Sequence, residues 1–447
     1  MTRGSFFCAT LLQEVFAKDR PAPNASAMPQ HQPLSSGPAP GKAEFILLIA
    51  LIMMSTAFAI DSMLPVLPEI GRSTGATDEK DWPLVISAFL AGFGVAQLFV
   101  GVLADRYGRR PVVLISLIGF ALANVASMRA TGFDTLLLMR AVQGLFAAGA
   151  RVVVTSIVRD RYEGREMAQV MSIAAMLFMA APILAPALGA AIVRFGPWQW
   201  IFGGLALLAA VLFLWIALRL PESLHPENRT LIEPEPLKAS ARTVLTDRMS
   251  LGYTLAQAAV GCGLFGFLNS VQPIFDHAFH RPDFLPTGFA LMACGMAVAS
   301  LLNASIVRRY GMRRIGHIAL FWFTAMAGIH MAWGMAGRET LASFILLQTL
   351  MMLGFALMMG NFNAMAMEKM GSVAGMASSL QGSLSNMISS VFGILIGRAF
   401  DGTTVPLYTG FFLSGLVAIV IVYITEQGRF FTARHPAQAA QTPVNLE

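Results

Sequence analysis

The chain alternates long apolar runs with short polar segments between about residue 45 and residue 425. Each run holds about 20 residues, the length of helix that crosses the ~30 Å hydrocarbon core of a bilayer. The runs show no period-2 alternation, so helices are favoured over membrane strands. The pattern predicts an all-α membrane protein with twelve spans, at 45–68, 82–104, 111–128, 134–158, 168–193, 198–219, 249–275, 286–307, 313–335, 340–362, 372–397 and 404–425.

The composition agrees with this interpretation, because 56% of the 447 residues are hydrophobic and only 13% are charged. A soluble chain of this length needs more charge to cover its surface. The net charge of +6 is typical of basic cytoplasmic loops, so no nucleic-acid partner is predicted. The cysteines, Cys8, Cys262 and Cys294, form no disulfide framework and no metal-binding spacing, and no cofactor or metal is expected.

The distribution of cations predicts the orientation. Of the 31 Lys and Arg residues, 22 fall in the tails and loops on one side of the predicted spans and 7 on the other. Cytoplasmic loops carry the excess of cations in membrane proteins. Both termini are therefore predicted to be cytoplasmic, in a multi-pass membrane protein.

A polar segment in the middle of the chain divides the spans into two sets of six. The stretch GVLADRYGRRP, which follows span 2, is matched after span 8 by residues 304–315 at an offset of 203, with Tyr107 on Tyr310 and Gly108 on Gly311. Two such halves related by a parallel repeat are common in secondary transporters. The predicted organisation is a disordered cytoplasmic N-tail (1–43), an N-terminal half (44–219), a cytoplasmic linker (220–247), a C-terminal half (248–426) and a cytoplasmic C-tail (427–447).

One carboxylate lies inside a predicted span. Asp61, in AIDSMLPVLP, comes sixteen residues after Phe45, which is about 24 Å along a helix. It is the only Asp or Glu of the predicted spans away from an end, and a buried acid can take a proton from one side and release it to the other. The sequence therefore favours a proton-coupling role. A structural acid paired permanently with an arginine, or a cap facing the outer leaflet, remains an alternative.

Two arginines lie within span 4. Arg140 is the expected electrostatic partner of Asp61, although its side chain is also close enough to the outer end to snorkel. Arg151 lies eleven residues later, on the same helical face, and is expected to line a substrate cavity. Amides on span 4 and on other spans are further candidates for this cavity, although amides in membranes more commonly bond between helices. The cavity candidates are Arg151, Gln143, Asn269, Gln272 and Asn361.

Four stretches together resemble the major facilitator superfamily, and within it the twelve-span drug:proton antiporters of the Bcr/CflA drug-resistance type. They are GVLADRYGRRP (101–111), the RxxQG pattern of Arg140, Gln143 and Gly144, AAPILAPALGAAI (180–192), and AIDSMLPVLP (59–68), which is similar to the family's DMYLPALP. The resemblance extends over nearly everything from Phe45 to Thr425. It implies the major facilitator fold.

The resemblance implies a gating motif after span 2. Asp105 would meet the N-terminus of span 11 and latch the cytoplasmic side shut, and in the second half Arg308 replaces this acid. The alternative is a basic loop that only sets topology. Asp160, in the next cytoplasmic loop, is interpreted as a solvated charge. The residues of the motif are Gly101, Asp105, Arg106, Gly108, Arg109 and Arg110.

The resemblance also implies an antiporter kink in span 5, formed by Pro182, Pro186 and Gly189. Prolines four residues apart bend a helix and small residues allow close packing. Ala185 and Ala190 stand where the family usually has glycine, and a generic kinked packing helix is the alternative.

The function that the resemblance implies is a proton-coupled antiporter that exports small lipophilic drugs across the inner (cytoplasmic) membrane by alternating access. The alternative is a proton-linked carrier of a natural metabolite such as a nucleoside, amino acid or siderophore. Met53 stands where some relatives carry a second acid, which favours one proton per cycle. No HExxH motif occurs, and no His, Asp, Ser or Cys residues cluster at one depth of the predicted spans, so an enzyme is not predicted. The expected partners are a small-molecule substrate, the proton and membrane lipid, and the chain is expected to be a monomer.

Overall fold

The computed structural model describes residues 40–229 and 234–431. Within these ranges no strand is present, and twelve helical segments are long and apolar enough to cross a membrane. The all-α, twelve-span prediction is therefore confirmed. The predicted N-tail up to residue 39 and the C-tail from residue 432 lie outside the described residues.

Eight helices form the first six spans, because the first and fifth spans are each divided in two. Their bounds are α1 Lys42–Asp61, α2 Leu67–Thr74, α3 Leu84–Tyr107, α4 Arg109–Met128, α5 Phe133–Arg161, α6 Gly164–Phe178, α7 Ala181–Phe195 and α8 Gln199–Arg219.

Seven further helices follow. The described part of the linker contains α9, and spans 7 to 12 are single helices. The bounds are α9 Pro234–Thr246, α10 Arg248–Pro273, α11 Leu285–Tyr310, α12 Met312–Met335, α13 Leu341–Met367, α14 Ala374–Arg398 and α15 Val405–Thr425.

The first span differs from its prediction. α1 ends at Asp61, before either proline, and a 3₁₀ turn at Leu64–Val66 leads into α2, which continues to Thr74. Pro65 and Pro68 each occupy the first turn of the element that follows the break, where a missing N–H costs no helical hydrogen bond. The prolines therefore lie at the start of the next helical elements, and the span extends six residues beyond the predicted end at residue 68.

Packing within the halves repeats with the chain. In the first half α3 packs on α5, α4 on α5 and α8, and α1 on α6 and α7. In the second half the helices six spans later make the corresponding pairs, with α11 on α13, α12 on α13 and α15, and α10 on α14. The sequence repeat is therefore also a structural repeat.

The two halves meet mainly through two helix pairs, α3 with α14 and α7 with α11. These pairs exchange when each helix is replaced by the one six spans away, as expected if the halves are related by a two-fold operation. Each span crosses the membrane once, and α9 follows the sixth span while α15 is the twelfth. The start of α1, the helix α9 and the end of α15 therefore lie on the same side. We call this the linker side.

Candidate transport site

A cavity of about 500 Å³ lies between the two halves. It extends from Asp61 to Asp105 and Arg159, near the linker-side ends of α3 and α5. Cavities of this size accommodate drug-sized ligands. Most of the lining is apolar, and the apolar and aromatic lining residues include Leu90, Phe93, Phe178, Leu264, Phe265, Leu268 and Met296.

Asp61 lies at the end of this cavity that is farther from the linker side, as the last residue of α1. Thr56, Ala57 and Ile60 line the cavity with it, because residues four apart share a helix face. Asp61 is only 7% exposed, and no described residue hydrogen-bonds or ion-pairs with its carboxylate. The acid singled out in the sequence therefore faces the cavity without a protein partner.

Arg140 does not pair with Asp61 in this structure, which differs from the expectation. Its side chain is fully buried, and its guanidinium donates to the Ala59 and Val85 carbonyls, both at 2.9 Å, and to Gln143. The physical reason is the break after Asp61. The carbonyls in the last turn of α1 lack helical partners, and a cation at a helix C-terminus is favourable. Arg140 thus holds the backbone beside Asp61.

Arg151 lines the central cavity. Its guanidinium lies over the rings of Phe93, at 5.9 Å, and Phe178, at 5.2 Å. Among the described residues no acid or carbonyl pairs with it. The cavity therefore presents one unpaired acid and one cation held between aromatic rings.

Two of the other predicted cavity residues are buried between helices. Gln143 accepts from Arg140 and donates to Asn124, and Asn361 donates to Asn303 at 2.8 Å and to the Leu357 carbonyl. Neither lines the central cavity. Their amides satisfy neighbouring polar groups, which is the commoner use of amides in membranes.

Asn269 and Gln272 line a different cavity, of about 490 Å³, on the side opposite the linker. The central cavity reaches Leu268, and there Ser87 donates to Asn269 at 2.8 Å across the two halves. This contact separates the two cavities. Asp401, which also lines the second cavity, accepts hydrogen bonds from the Thr403 hydroxyl and amide, and these hold the pKa of that carboxyl below its ordinary value.

Further contacts between the halves surround both cavities. Near the central cavity Asn386 of α14 donates to Gln97 of α3 at 2.6 Å. On the side opposite the linker, Arg398 forms an ion pair with Asp81. The contact between Asn386 and Gln97 is only weakly indicated by the sequence, because no local pattern shows that two helices about 290 residues apart pack together.

The gating motif forms the turn between α3 and α4. Gly108 adopts φ +103°, which favours glycine. Asp105 forms an ion pair with Arg109, four residues later, and lines the central cavity opposite Gly375 in the first turn of α14. The structure therefore places Asp105 across the cavity from the helix N-terminus named in the latch hypothesis. Arg106 stacks on Tyr107, and Arg110 donates to the Ala217 carbonyl.

The interpretation of Asp160 as a solvated charge is wrong. Its carboxylate accepts from Arg109 Nε at 3.1 Å, and its side chain is only 18% exposed. Glu222, a functional residue that no sequence motif indicates, accepts backbone N–H groups of Arg109, Arg110, Ser223 and Leu224. It thus caps the N-terminus of α4 from the linker, and the only signal was an acid soon after a span.

The fifth span is interrupted at Met179 and Ala180, one turn before the predicted kink. Pro182 lies in the first turn of α7 and lines the cavity, and Pro186 lies inside α7. Gly189 faces the backbone of Ser62 so closely that a Cβ atom would collide with its carbonyl. The kinked span therefore packs directly against the break that follows Asp61.

Twelve candidate spans in the described part of the chain, arranged as two repeated halves around a central cavity, form the architecture typical of secondary transporters. Residues 47–394 match the family model of the Major Facilitator Superfamily. The match includes most of the chain, and the chain belongs to this superfamily.

The similar curated proteins agree with this assignment. The chain is 31% identical over 283 residues to a bicyclomycin resistance protein homolog of Haemophilus influenzae. The aligned region covers 62% of this chain and 69% of that relative. The chain is 30% identical over 252 residues to the multidrug resistance protein MdtL of a Shewanella strain, spanning 55% of this chain and 62% of that relative. The resemblance to the Bcr/CflA type of drug-resistance transporter is confirmed.

Two solved structures share the fold. The human organic anion transporter MFSD10 (TETRAN) superposes with a TM-score of 0.65 at 18% identity, over 86% of this chain and all of that chain. A D-xylose-proton symporter superposes with a TM-score of 0.66 at 11% identity, over 87% of this chain and 98% of that chain. The fold is therefore that of the superfamily.

Proposed function

We propose that this chain exports small lipophilic drugs across the inner membrane in exchange for protons. One observation carries the proposal: a mostly apolar cavity between the halves contains a buried carboxylate, Asp61, that no described protein group neutralises. The names of the bicyclomycin and multidrug resistance relatives support a drug as the substrate. The excess of cations in the linker-side loops supports a cytoplasmic linker side.

In the proposed cycle Asp61 binds a proton when the cavity opens to the side opposite the linker and releases it toward the linker side. A drug enters the cavity from the linker side and competes with the proton for the region around Asp61, so the two are carried in opposite halves of the cycle. Inward movement of one proton supplies about 2.3 kcal/mol per 100 mV of membrane potential. Arg140 keeps the end of α1 in place while Asp61 titrates.

The lining favours drugs over the alternative substrates. A nucleoside or amino acid needs several hydrogen-bonding groups around it. Most of the exposed surface of the lining is apolar, and two of the polar lining residues, Gln97 and Asn386, bond to each other. Phe93 and Phe178, with Arg151 between them, offer an aromatic surface suited to lipophilic compounds.

Asp61→Asn tests the proposal. The amide keeps the shape of the carboxyl group but binds no proton, so transport driven by a pH gradient should fall at least about tenfold. The measurement is accumulation of bicyclomycin and of fluorescent lipophilic drugs in inverted membrane vesicles with an imposed gradient. Glu69→Gln is the matched control, because Glu69 is an exposed acid in α2 of the same span.

Unchanged pH-driven transport by Asp61→Asn would remove Asp61 from proton coupling. If neither the wild type nor the control variant transports any drug of the panel while a polar metabolite is carried, the drug-export proposal fails.

A further inference from the structure

An apolar groove lies on the surface of the C-terminal half that faces away from the central cavity. It has a volume of about 400 Å³ and lies between α11, α12 and α13. Ile318 is 52% exposed and Trp322 is 41% exposed, so the groove opens toward the surroundings of the protein. In a membrane-spanning helix those surroundings are lipid. The apolar lining includes Ile306, Ile315, Ala319, Leu353 and Leu357.

The shape of the groove is fixed by a specific contact. The Trp322 indole donates to the Leu350 carbonyl at 2.8 Å. Its ring lies over Gly354, where a Cβ atom would stand 2.6 Å from Trp322 Cδ1. The absence of a side chain at Gly354 therefore lets the indole lie across α13 and form one wall.

An unpaired cation stands at the linker-side end of the groove. Arg314 lines the groove and is exposed, and no described acid pairs with it. Its neighbour Arg313 turns inward, where it binds Glu368 at 2.9 Å and Glu426 at 3.1 Å. The nearby acids are thus occupied by Arg313, while Arg309 on the other side of the turn stacks on Tyr310.

The first half lacks this arrangement. At the repeat offset of 203, Pro111 corresponds to Arg314 and Asp105 corresponds to Arg308, so the first copy of the motif is less cationic. Ile115, the counterpart of Ile318, is also exposed, at 62%. The repeat therefore provides an internal comparison in which the apolar surface is present and the cation at its end is absent.

We propose that the groove binds one anionic phospholipid of the linker-side leaflet, with an acyl chain between α12 and α13 and the phosphate at Arg314. Basic pockets between membrane helices commonly bind anionic headgroups. Here the cation lies at the end of an apolar channel, which matches the layout of a phospholipid. The site is independent of the drug cavity.

The experiment uses the full-length protein purified in detergent and titrated with dioleoylphosphatidylglycerol or dioleoylphosphatidylcholine. Native mass spectrometry counts the lipid retained. The wild type should retain one phosphatidylglycerol with about fivefold preference over phosphatidylcholine, the effect expected of one cation near an anionic headgroup. Arg314→Gln should abolish the preference. Ile318→Trp should reduce retention of both lipids, because the larger ring obstructs the groove.

Two matched variants serve as controls. Arg242→Gln removes an exposed cation of the linker, and Ile115→Trp places the same ring on the corresponding surface of the first half. Both should bind lipid as the wild type does. Equal retention of the two lipids by the wild type would overturn the proposal. So would an unchanged preference in Arg314→Gln, or displacement of the bound lipid from the groove by a transported drug.

Discussion

Arg140 and Arg151 lie on the same helix but meet different surroundings. Arg140 has three described hydrogen-bond acceptors and the faces of Phe89 and Phe202, at 4.7 and 5.9 Å. The guanidinium of Arg151 contacts aromatic rings and has no hydrogen-bond acceptor among the described residues. A planar guanidinium can bond in several directions at once, whereas a lysine ammonium cannot reproduce that fork. The two arginines should therefore respond differently to the same substitution.

Arg140→Lys should destabilise the protein, because at least one carbonyl at the end of α1 or in α3 loses its donor. A hydrogen bond to a charged group contributes about 1.5–3 kcal/mol. The thermal unfolding midpoint of the detergent-purified protein should fall by several degrees, while Arg151→Lys, the matched control on the same helix, should leave it unchanged. Equal midpoints for the two variants would contradict a structural role for Arg140.

The depth of Asp61 could be predicted from the sequence, because it depends only on counting residues along one apolar run. The absence of a described partner for the Asp61 carboxylate could not be predicted from the sequence. The pairing with Arg140 was inferred from charge alone, and the competing acceptor, the Ala59 carbonyl, becomes available only because α1 ends at Asp61. Gln143 and Asn361 were misplaced for a similar reason, since the sequence does not show which face of a helix its neighbours cover.

At the scale of elements, the main feature is a break in each of two spans. The first span is broken after Asp61 and the fifth at Met179, and α7 packs against the 3₁₀ turn that follows the first break. The close approach of Gly189 to Ser62 joins these two elements. Any side chain at this glycine pushes backbone against backbone, which no rotamer change can relieve.

Gly189→Ala should therefore lower both the thermal unfolding midpoint and drug transport. Gly204→Ala is the matched control, since Gly204 lies inside α8 with no atom within 4 Å of the position of a Cβ. Alanine is favoured over glycine in a helix by about 0.5–1 kcal/mol, so the control should be as stable as the wild type or slightly more stable. A Gly189→Ala variant as stable as Gly204→Ala would show that the two elements are farther apart than described.

Glu222 lets the linker stabilise the N-terminus of α4. Glu222→Ala leaves the N–H groups of Arg109 and Arg110 without their acceptor, and loss of such a cap costs about 0.5–2 kcal/mol. Hydrogen–deuterium exchange of a peptide at the start of α4 should accelerate. Glu227→Ala removes an exposed acid of the same linker and should not change that exchange. Equal exchange in the two variants would argue against the cap.

The helices themselves were predictable to within a few residues, except at the end of the first span, because twenty apolar residues in sequence leave few alternatives in a membrane. The break between α6 and α7 was only approximately predicted, since the prolines indicate a bend but not its exact turn. Glu222 and Asp160 were missed because their partners lie on other elements, at sequence separations of 113 and 51 residues from Arg109.

At the scale of the whole molecule, the two halves meet along α3 and α14 over most of their length. Contacts run from the Asp81–Arg398 ion pair through Ser87 and Ser390 to Gln97 and Asn386, and on to Gly101 beside Ser379 near the linker side. Alternating access around the central cavity needs part of this contact line to open in each half-cycle. The linker-side part should separate when the cavity opens to that side.

A disulfide between positions 101 and 379 tests this movement. A Cβ at Gly101 would lie 3.9 Å from Ser379 Cβ, within the range of natural disulfides. In a background with Cys8, Cys262 and Cys294 replaced by serine, the Gly101→Cys, Ser379→Cys protein should cross-link on oxidation and lose drug transport, and a reducing agent should restore it. Each single variant should transport equally with and without oxidant. Full transport by the cross-linked protein would mean that the halves remain in contact here throughout the cycle, and the moving parts would then have to be sought elsewhere, at α7 and α11.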